Sequence, residues 1–451
     1  MSKPKRQLHL GLFLFATGYH PAGWRLPEAR TDGAFDPKFL REVAQKLEKA
    51  KFDYFFLGDN LASSADMQYL FPSQMTRLEP FTMIAHIAAA TEKIGLIATA
   101  NTTYAEPYHI ARFTASLDYL SGGRAAWNIV TGADPRAALN FSRDAHWDNA
   151  HRYDHAEEFV KVVQGLWDTW EDDALPRDKE SGVFADGSKV HQLNHQGRHF
   201  QVKGPLNVAR PIQGQLPLVL AGTSDRGQDL GAEVANVIFT GQRTIEDAQR
   251  FYKSIKGRLP KYGRTPDDMI IMPGLVPIAG RTDEEAREKY NRLNELLVTN
   301  YDLTELSKRI GFELAGYPLD GPLPEELLTD AAPKEARDWI GLALKATGLP
   351  TLTVRDLFYY FTVTVRGHLL LVGSAEHIAD LLEEWLLNDA ADGFNVCPPF
   401  MPGGLDDFLE LVVPELQRRG IFRTDYEGST FREHLGLARP ENRFAKAAAP
   451  S

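Results

Sequence analysis

The chain has 451 residues, 43% of them hydrophobic and 25% charged, which is ordinary composition for a folded protein with a large core. Its formal net charge is −11, and the only basic run is the short start Lys3-Pro4-Lys5-Arg6, so nothing suits it to nucleic acid or an anionic membrane. Cys397 is the single cysteine, which excludes an internal disulfide and any Cys/His zinc spacing.

The apolar run at 8–16 is too short to span a bilayer and lacks a cleavage pattern, so the chain reads as cytoplasmic. Residues 8–15 predict the first strand. Asp36 is then a good N-cap, Pro37 suits the first helical position, and Phe39, Leu40, Val43, Ala44 and Leu47 share one face. A strand at 52–57 ends in Gly58-Asp59-Asn60, a helix at 80–91 follows, and a strand at 94–100 ends in Asn101-Thr102-Thr103. A helix at 107–120 is stopped by Ser121-Gly122-Gly123, and a strand at 124–130 ends in Thr131-Gly132. The region 155–170 predicts another helix, and 217–221, 237–240, 269–279 and 394–397 supply four more strands.

Short, nearly continuous apolar strands alternating with helices define a parallel sheet buried on both faces. Eight of them favour a closed (β/α)8 barrel, a TIM barrel, over an open sheet. Two stretches exceed a minimal barrel. Residues 171–215 are polar and rich in Gly and Pro, with a hairpin near 199–202, and 291–366 carry helical pieces broken by Gly and Pro. Residues 1–440 are read as one domain with these two insertions, and 441–451 as a disordered tail.

The C-terminal strand ends, where active sites of such barrels lie, carry Asp59-Asn60, Asn101-Thr102-Thr103, Thr131 and Thr223-Ser224. This ring of hydrogen-bonding groups suits a polar heterocycle and a phosphate better than hydrolysis by paired carboxylates; each residue taken singly reads equally well as a helix cap. His151 and His155 are four apart, as are His191, His195 and His199, but no HExxH occurs and no metal is expected. A G-x-S-x-G elbow and a strand-linked G-x-G-x-x-G are both absent.

Several motifs resemble one family. They include Thr102-Thr103-Tyr104 with Pro107-Tyr108-His109-x-Ala111-Arg112, and Arg124-x-x-Trp127-Asn128-Ile129-Val130-Thr131. Others are Arg152-Tyr153-x-x-Ala156-x-Glu158, His195-x-Gly197-x-x-Phe200-x-Val202-x-Gly204-Pro205-Leu206, and the run from Val413-Pro414-Glu415 through Arg419-Gly420. Together they are similar to the nitrilotriacetate monooxygenase component A branch of the bacterial luciferase-like flavin monooxygenases. The resemblance implies a TIM-barrel oxygenase that receives FMN as FMNH2 from a separate flavin reductase. Oxygen adds at flavin C4a, and the resulting peroxide or hydroperoxide oxidises a small organic substrate such as an aminopolycarboxylate or organosulfur compound. It also implies transient contact with the reductase and a homodimer or homotetramer.

Carried onto matching positions, the resemblance makes Asp59, Thr103, Thr131, Asn149, Tyr153 and Ser224 the FMN contacts. Asp59 and Thr103 would hold the ring edge, and Tyr153 and Ser224 the phosphate. Asn149 departs from the His frequent in the family, and Asp225 would repel a phosphate unless turned away. The loop Gly18-Tyr19-His20-Pro21-Ala22-Gly23-Trp24-Arg25 resembles the family's substrate-side loop, making His20, Trp24 and Arg25 the catalytic candidates. His20 would relay a proton and Arg25 pair with an anion. The rival readings are a deazaflavin (F420)-dependent oxidoreductase of the same fold, a non-catalytic flavin-binding protein, and a metal-dependent barrel hydrolase.

Overall fold

Alternate residues of a strand face opposite ways, and here both faces are apolar. The computed structural model, which describes residues 6–65, 67, 73, 75–297, 303–364 and 366–445, shows where each face goes. The main sheet has nine parallel strands. They are β1 (His9–Phe13), β2 (Tyr54–Leu57), β3 (Gly95–Asn101), β4 (Ala125–Val130), β5 (Leu218–Ala221), β6 (Val237–Thr240), β7 (Ile270–Gly280), β8 (Leu369–Ser374) and β9 (Gly393–Val396). All but β8 close into a ring, with β7 joining β6 through Val237↔Ile270 and joining β9 through Asn395↔Gly274, and β9 joining β1 through Leu10↔Phe394. The eight-stranded barrel predicted from the pattern is therefore present.

β8 is an addition to those eight strands. The second half of β7 leaves the ring and pairs with β8 from Leu275↔Leu369 to Gly280↔Ser374. Inward residues Tyr54, Phe56, Ile97, Ala126, Val219, Val237, Phe239, Ile270 and Met272 fill the barrel. Their outward neighbours, among them Phe55, Leu96, Trp127, Leu218 and Ile271, pack under the surrounding helices.

Those helices begin where their caps dictate. In α1 (Pro37–Lys49), Asp36 Oδ1 accepts from the Lys38 and Phe39 amides at 2.9 and 3.2 Å, and all five expected apolar residues are buried. α2 (Pro80–Ala88) and α3 (Pro107–Ser121) also open on proline. α4 (Asn149–Trp167) starts six residues before the predicted position, because Asp148 accepts from the His151 amide at 2.8 Å. α5 (Asp225–Val234), α6 (Ile245–Lys256), α7 (Asp283–Glu295) and α11 (Ala375–Leu387) complete the outer layer.

The insertions occupy different places. Residues 171–215, with a hairpin pairing His195 with Val202, run along the flank formed by α3 and α4. Residues 303–364 contain α8 (Thr304–Ile310), α9 (Lys334–Thr347) and α10 (Val354–Thr364), which build a second apolar core over Phe15, Tyr19, Val276 and Ile278 at the barrel mouth. At the opposite end, Phe431, Leu435 and Leu437 enter the barrel floor. The Phe431 ring lies where any side chain on Gly95 would overlap it, and its amide donates to Gly123 O at 2.9 Å. Within the tail expected to be disordered, residues 441–445 are held: Asn442 Nδ2 donates to the Asp168 and Trp170 carbonyls at 2.9 Å, and Phe444 stacks on His191. The rest of that tail, 446–451, lies outside the described residues.

Among the described residues no helix is long and apolar enough to cross a membrane.

Candidate active site

The inward side chains turn polar as β3 and β4 approach their C-terminal tips, from Ile97 to Thr99 and Asn101 and from Ala126 to Asn128. Asn128 Nδ2 donates to Thr99 Oγ1 at 3.0 Å, and Thr99 Oγ1 donates to Leu57 O at 2.6 Å. Asn128 Oδ1 is buried and accepts no hydrogen bond, an acceptor left over inside the polar floor. Above it Asp59 and Asn60, at the end of β2, share a cleft with Thr99, Asn101, Val130 and Gly132. Burial pushes the Asp59 carboxyl above its ordinary pKa, against the pull of Arg77.

Just past the ends of β3 and β4, Thr103 and Thr131 follow the cleft residues Asn101 and Val130 as a polar rim. The Thr103 hydroxyl donates to Thr131 O at 2.7 Å, and its amide donates to Asn101 Oδ1 at 2.8 Å. Gly132 takes a left-handed φ of +75°, and a Cβ there would stand 2.6 Å from Asn101 Nδ2. The backbone can therefore come close to the rim only with glycine at 132.

A second polar site lies at the N-terminus of α5. Ser224 caps the helix, its Oγ accepting from the Gly227 amide at 3.1 Å. Tyr153, from the second turn of α4, reaches the same spot. A Cβ on Gly227 would lie 2.9 Å from Tyr153 Oη and 3.1 Å from Ser224 Oγ, so one methyl group would fill the space that both hydroxyls face. Uncapped helix amides and two hydroxyls make an anion cradle. Asp225 turns out of it to pair with Arg258 at 2.5 Å, which removes the expected repulsion. Arg226 is drawn toward α4, pairing with Asp154 and donating to Ala150 O. Asn149 is exposed on the first turn of α4, one turn before Tyr153.

The structure thus brings Asp59, Thr103 and Thr131 together at adjoining strand tips, and Tyr153 together with Ser224. The loop after β1 has a different environment. His20 is 1% exposed; its Nδ1 accepts from the Ala22 amide at 3.1 Å, and Nε2 donates to Asn294 Oδ1 at 3.1 Å. Burial lowers its pKa to about 4, so the ring is neutral with both nitrogens engaged. Arg25 donates to Leu296 O, and Trp24 is exposed.

Arg143 is a site residue that the sequence motifs do not single out. It donates to Thr103 O at 2.7 Å and lies 3.9 Å from the Trp147 ring centroid and 4.9 Å from that of Tyr104. Tyr104 in turn stacks on Phe141. This column of planar groups pins segment 141–147 to the tip of β3. The signal for it was an arginine between aromatics, but their spacing follows no helical or strand period. Gly227 was legible only as a small residue near a helix start.

His151, His155 and His199 do meet, with ring centroids 5.2–5.6 Å apart for the His199 pairs. Among the described residues, however, no group of three His, Cys, Asp or Glu is arranged to hold a metal ion. His191 and His195 bond Glu171 and Glu158 instead.

A parallel α/β barrel with polar groups at its strand tips and an anion cradle at a neighbouring helix N-terminus has the layout of a barrel enzyme. The comparisons carry this further. Residues 13–387 match the family described as luciferase-like monooxygenase. The chain is 46% identical over 447 residues to N-acetyl-S-(2-succino)cysteine monooxygenase of Bacillus subtilis (strain 168), covering 99% of this chain and 100% of that protein. It is 44% identical over 451 residues to nitrilotriacetate monooxygenase component A of Aminobacter aminovorans, covering 98% and 99%. The crystal structure of DmoA from Hyphomicrobium sulfonivorans superposes with a TM-score of 0.83 at 31% identity, covering 95% of this chain and 92% of that one. The chain belongs to the luciferase-like monooxygenase family.

Proposed function

We propose that this protein is the oxygenase component of a two-component FMN-dependent monooxygenase, acting on a small organic molecule. The observation that carries the reading is the convergence of Tyr153, Ser224 and the α5 N-terminus on the space beside Gly227, next to the rim of Asp59, Thr103 and Thr131. These groups fit a flavin mononucleotide: the cradle for its phosphate, the rim for its ring edge. Full-length relatives above 40% identity that bear monooxygenase names favour this over the deazaflavin alternative and over a non-catalytic flavin binder.

Bound reduced FMN would supply the activation of molecular oxygen. The protein's part is to hold, orient and exclude water. Tyr153 and Ser224 donate to the phosphate, while Thr103, fixed by Arg143 and Asn101, keeps the rim in place. Asp59, whose pKa is raised by burial, is the titratable group at the ring edge. His20 is a positioning residue and not a proton relay, since both its nitrogens are engaged in joining the β1 loop to α7. Trp24 and Arg25 belong to the same loop, and Asn149 contributes at the outer edge of the cradle. A separate reductase delivers FMNH2 by transient contact, in a cytoplasmic setting. Exposed Phe113 and Leu120 on α3 favour association into a homodimer or homotetramer through the barrel's side.

The test is an anaerobic titration with FMNH2, then mixing with oxygenated buffer and a panel of substrates: the two acids named for the relatives above and a neutral sulfide. Expected are tight FMNH2 binding, weakened about tenfold by Ser224→Ala or Tyr153→Phe, and label from 18O2 in the product of one substrate. Failure of FMNH2 to bind would return the deazaflavin reading to the front.

A further inference from the structure

Across the mouth from the flavin rim, the loops carry arginines that the cofactor reading does not use. Arg366 follows α10, and its guanidinium lies 5.6 Å from the ring centroids of both Phe15 and Tyr19. Arg243, after β6, lies 4.4 Å from the Trp339 ring and donates Nε and Nη2 to Thr364 O at 3.3 and 2.8 Å. The two loops touch, since a Cβ on Gly241 would stand 3.2 Å from Arg366 O. Arg77 donates to Gly58 O at 3.3 Å and faces Asp59, near enough to Arg366 to act on its charge.

All three guanidiniums are partly buried, and burial lowers the pKa of each. That of Arg366 falls to about 10, with Arg77 pushing it further down.

Aromatic rings pack beside Arg366 and Arg243. Tyr19 meets His368 edge-on at 5.1 Å, and His368 stacks on Phe239 at 5.4 Å. His368 is held neutral, its pKa lowered to about 3 by burial and then by Arg366 and Arg243. Tyr19 is 7% exposed, and its hydroxyl, beside Arg366, has no hydrogen-bond partner. The Tyr19 hydroxyl is thus a buried donor without an acceptor, with the Arg366 guanidinium close to its ring. Such a combination is relieved by an acceptor that bears negative charge.

We propose that this wall binds a carboxylate of the substrate, with Arg366 and Arg77 as its cationic partners and the Tyr19 hydroxyl as a neutral donor. The molecule oxidised is then an organic acid, not an alkane or a neutral sulfide. Arg243 is a positioning residue: it fixes the end of α10 and so the place of Arg366. The assignment rests on the monooxygenase reading for its reaction, but not for its binding test.

Binding of the two acids in the panel, and of their methyl esters, is measured by calorimetry with and without FMNH2 under anaerobic conditions. At least one acid should bind, and its ester at least tenfold more weakly. Arg366→Gln should weaken the acid about tenfold or more, and Arg366→Lys should restore part of the loss. Tyr19→Phe removes only an oxygen that makes no internal bond, so it keeps the fold, and it should weaken the acid a fewfold with FMNH2 affinity unchanged. An ester that binds as well as its acid overturns the assignment, as does acid binding indifferent to both Arg366→Gln and Tyr19→Phe, or no acid binding at all. Loss of FMNH2 binding alone, with acid binding intact, would sink the proposed function and leave this pocket standing.

Discussion

Residues 171–215 are tied to the barrel by charges and amides, whereas 303–364 make an apolar core of their own. In the first, Arg210 and Asp168 have side chains 2% and 3% exposed and pair at 3.0 Å, with Asp172 adding a second partner to Arg210. Gln213 donates to Asp118 and to Ala125 O, and Glu158 accepts from the His199 and Phe200 amides. In the second, Leu306, Ile310, Leu327, Trp339, Leu357 and Phe361 pack on one another and on Phe15 and Tyr19. Directional bonds fix the register of the flank segment on α3 and α4. Non-directional packing lets the mouth segment tolerate changes of side chain that keep its volume. One insertion braces the barrel; the other packs over its mouth.

Removing the buried cation tests the bracing most severely. Arg210→Met leaves the buried Asp168 with only half-exposed Arg443 as a cation partner and should cost up to about 3–5 kcal/mol, read as a lowered melting temperature, with FMNH2 affinity of the folded protein unchanged. A melting temperature close to the parent's would show that the flank segment is a passenger. Leu357→Ala should cost about 2–4 kcal/mol, but locally. Hydrogen exchange should quicken in 303–364 while the amides of β2 to β5 stay protected, and KM for the substrate should rise. If the barrel amides open together with 303–364, the two cores are one cooperative unit and the contrast fails.

Acid should act on both regions through imidazoles that burial keeps neutral. His20 at the mouth and His155 on the flank side have pKa values lowered to about 4 from an ordinary 6.5. The unfolded chain therefore takes up protons first, and stability is fully present above about pH 6.5 and lost progressively down to about 4. His20→Gln should flatten that limb of a stability-against-pH curve; an unchanged limb would place the loss elsewhere. The smallest effect belongs to Asp225→Asn. Its carboxylate faces Arg258 at the surface, so FMNH2 affinity should change less than about threefold. A larger gain would mean that the carboxylate turns back toward the cradle.

The barrel was legible because its strands are apolar on both faces and bounded by Gly, Asn, Asp and Thr; all eight ring strands fall where the pattern puts them. β8 was not, since its run of Leu369 to Val372 pairs with the half of β7 that leaves the ring, and counting strands to closure gives no reason for a ninth. The polar strand tips and the cap of α5 were legible too, because local sequence dictates both. The opposite wall was hidden. Arg77, Arg243 and Arg366 come from three loops far apart in the chain, and no local pattern links them. The engagement of both His20 nitrogens was equally hidden, since Asn294 lies 274 residues away.

The stopper of Phe431, Leu435 and Leu437 has a consequence for how the molecule comes into being. Every strand of the ring precedes these residues in the chain, so during synthesis the ring can assemble while its lower end still admits water. Tyr54, Ile97 and Ala126 would then line an open well until the stopper emerges and seats against Gly95. The vulnerable interval in the life of this protein is thus late in translation, when an almost finished barrel offers a greasy opening to chaperones or to other nascent chains.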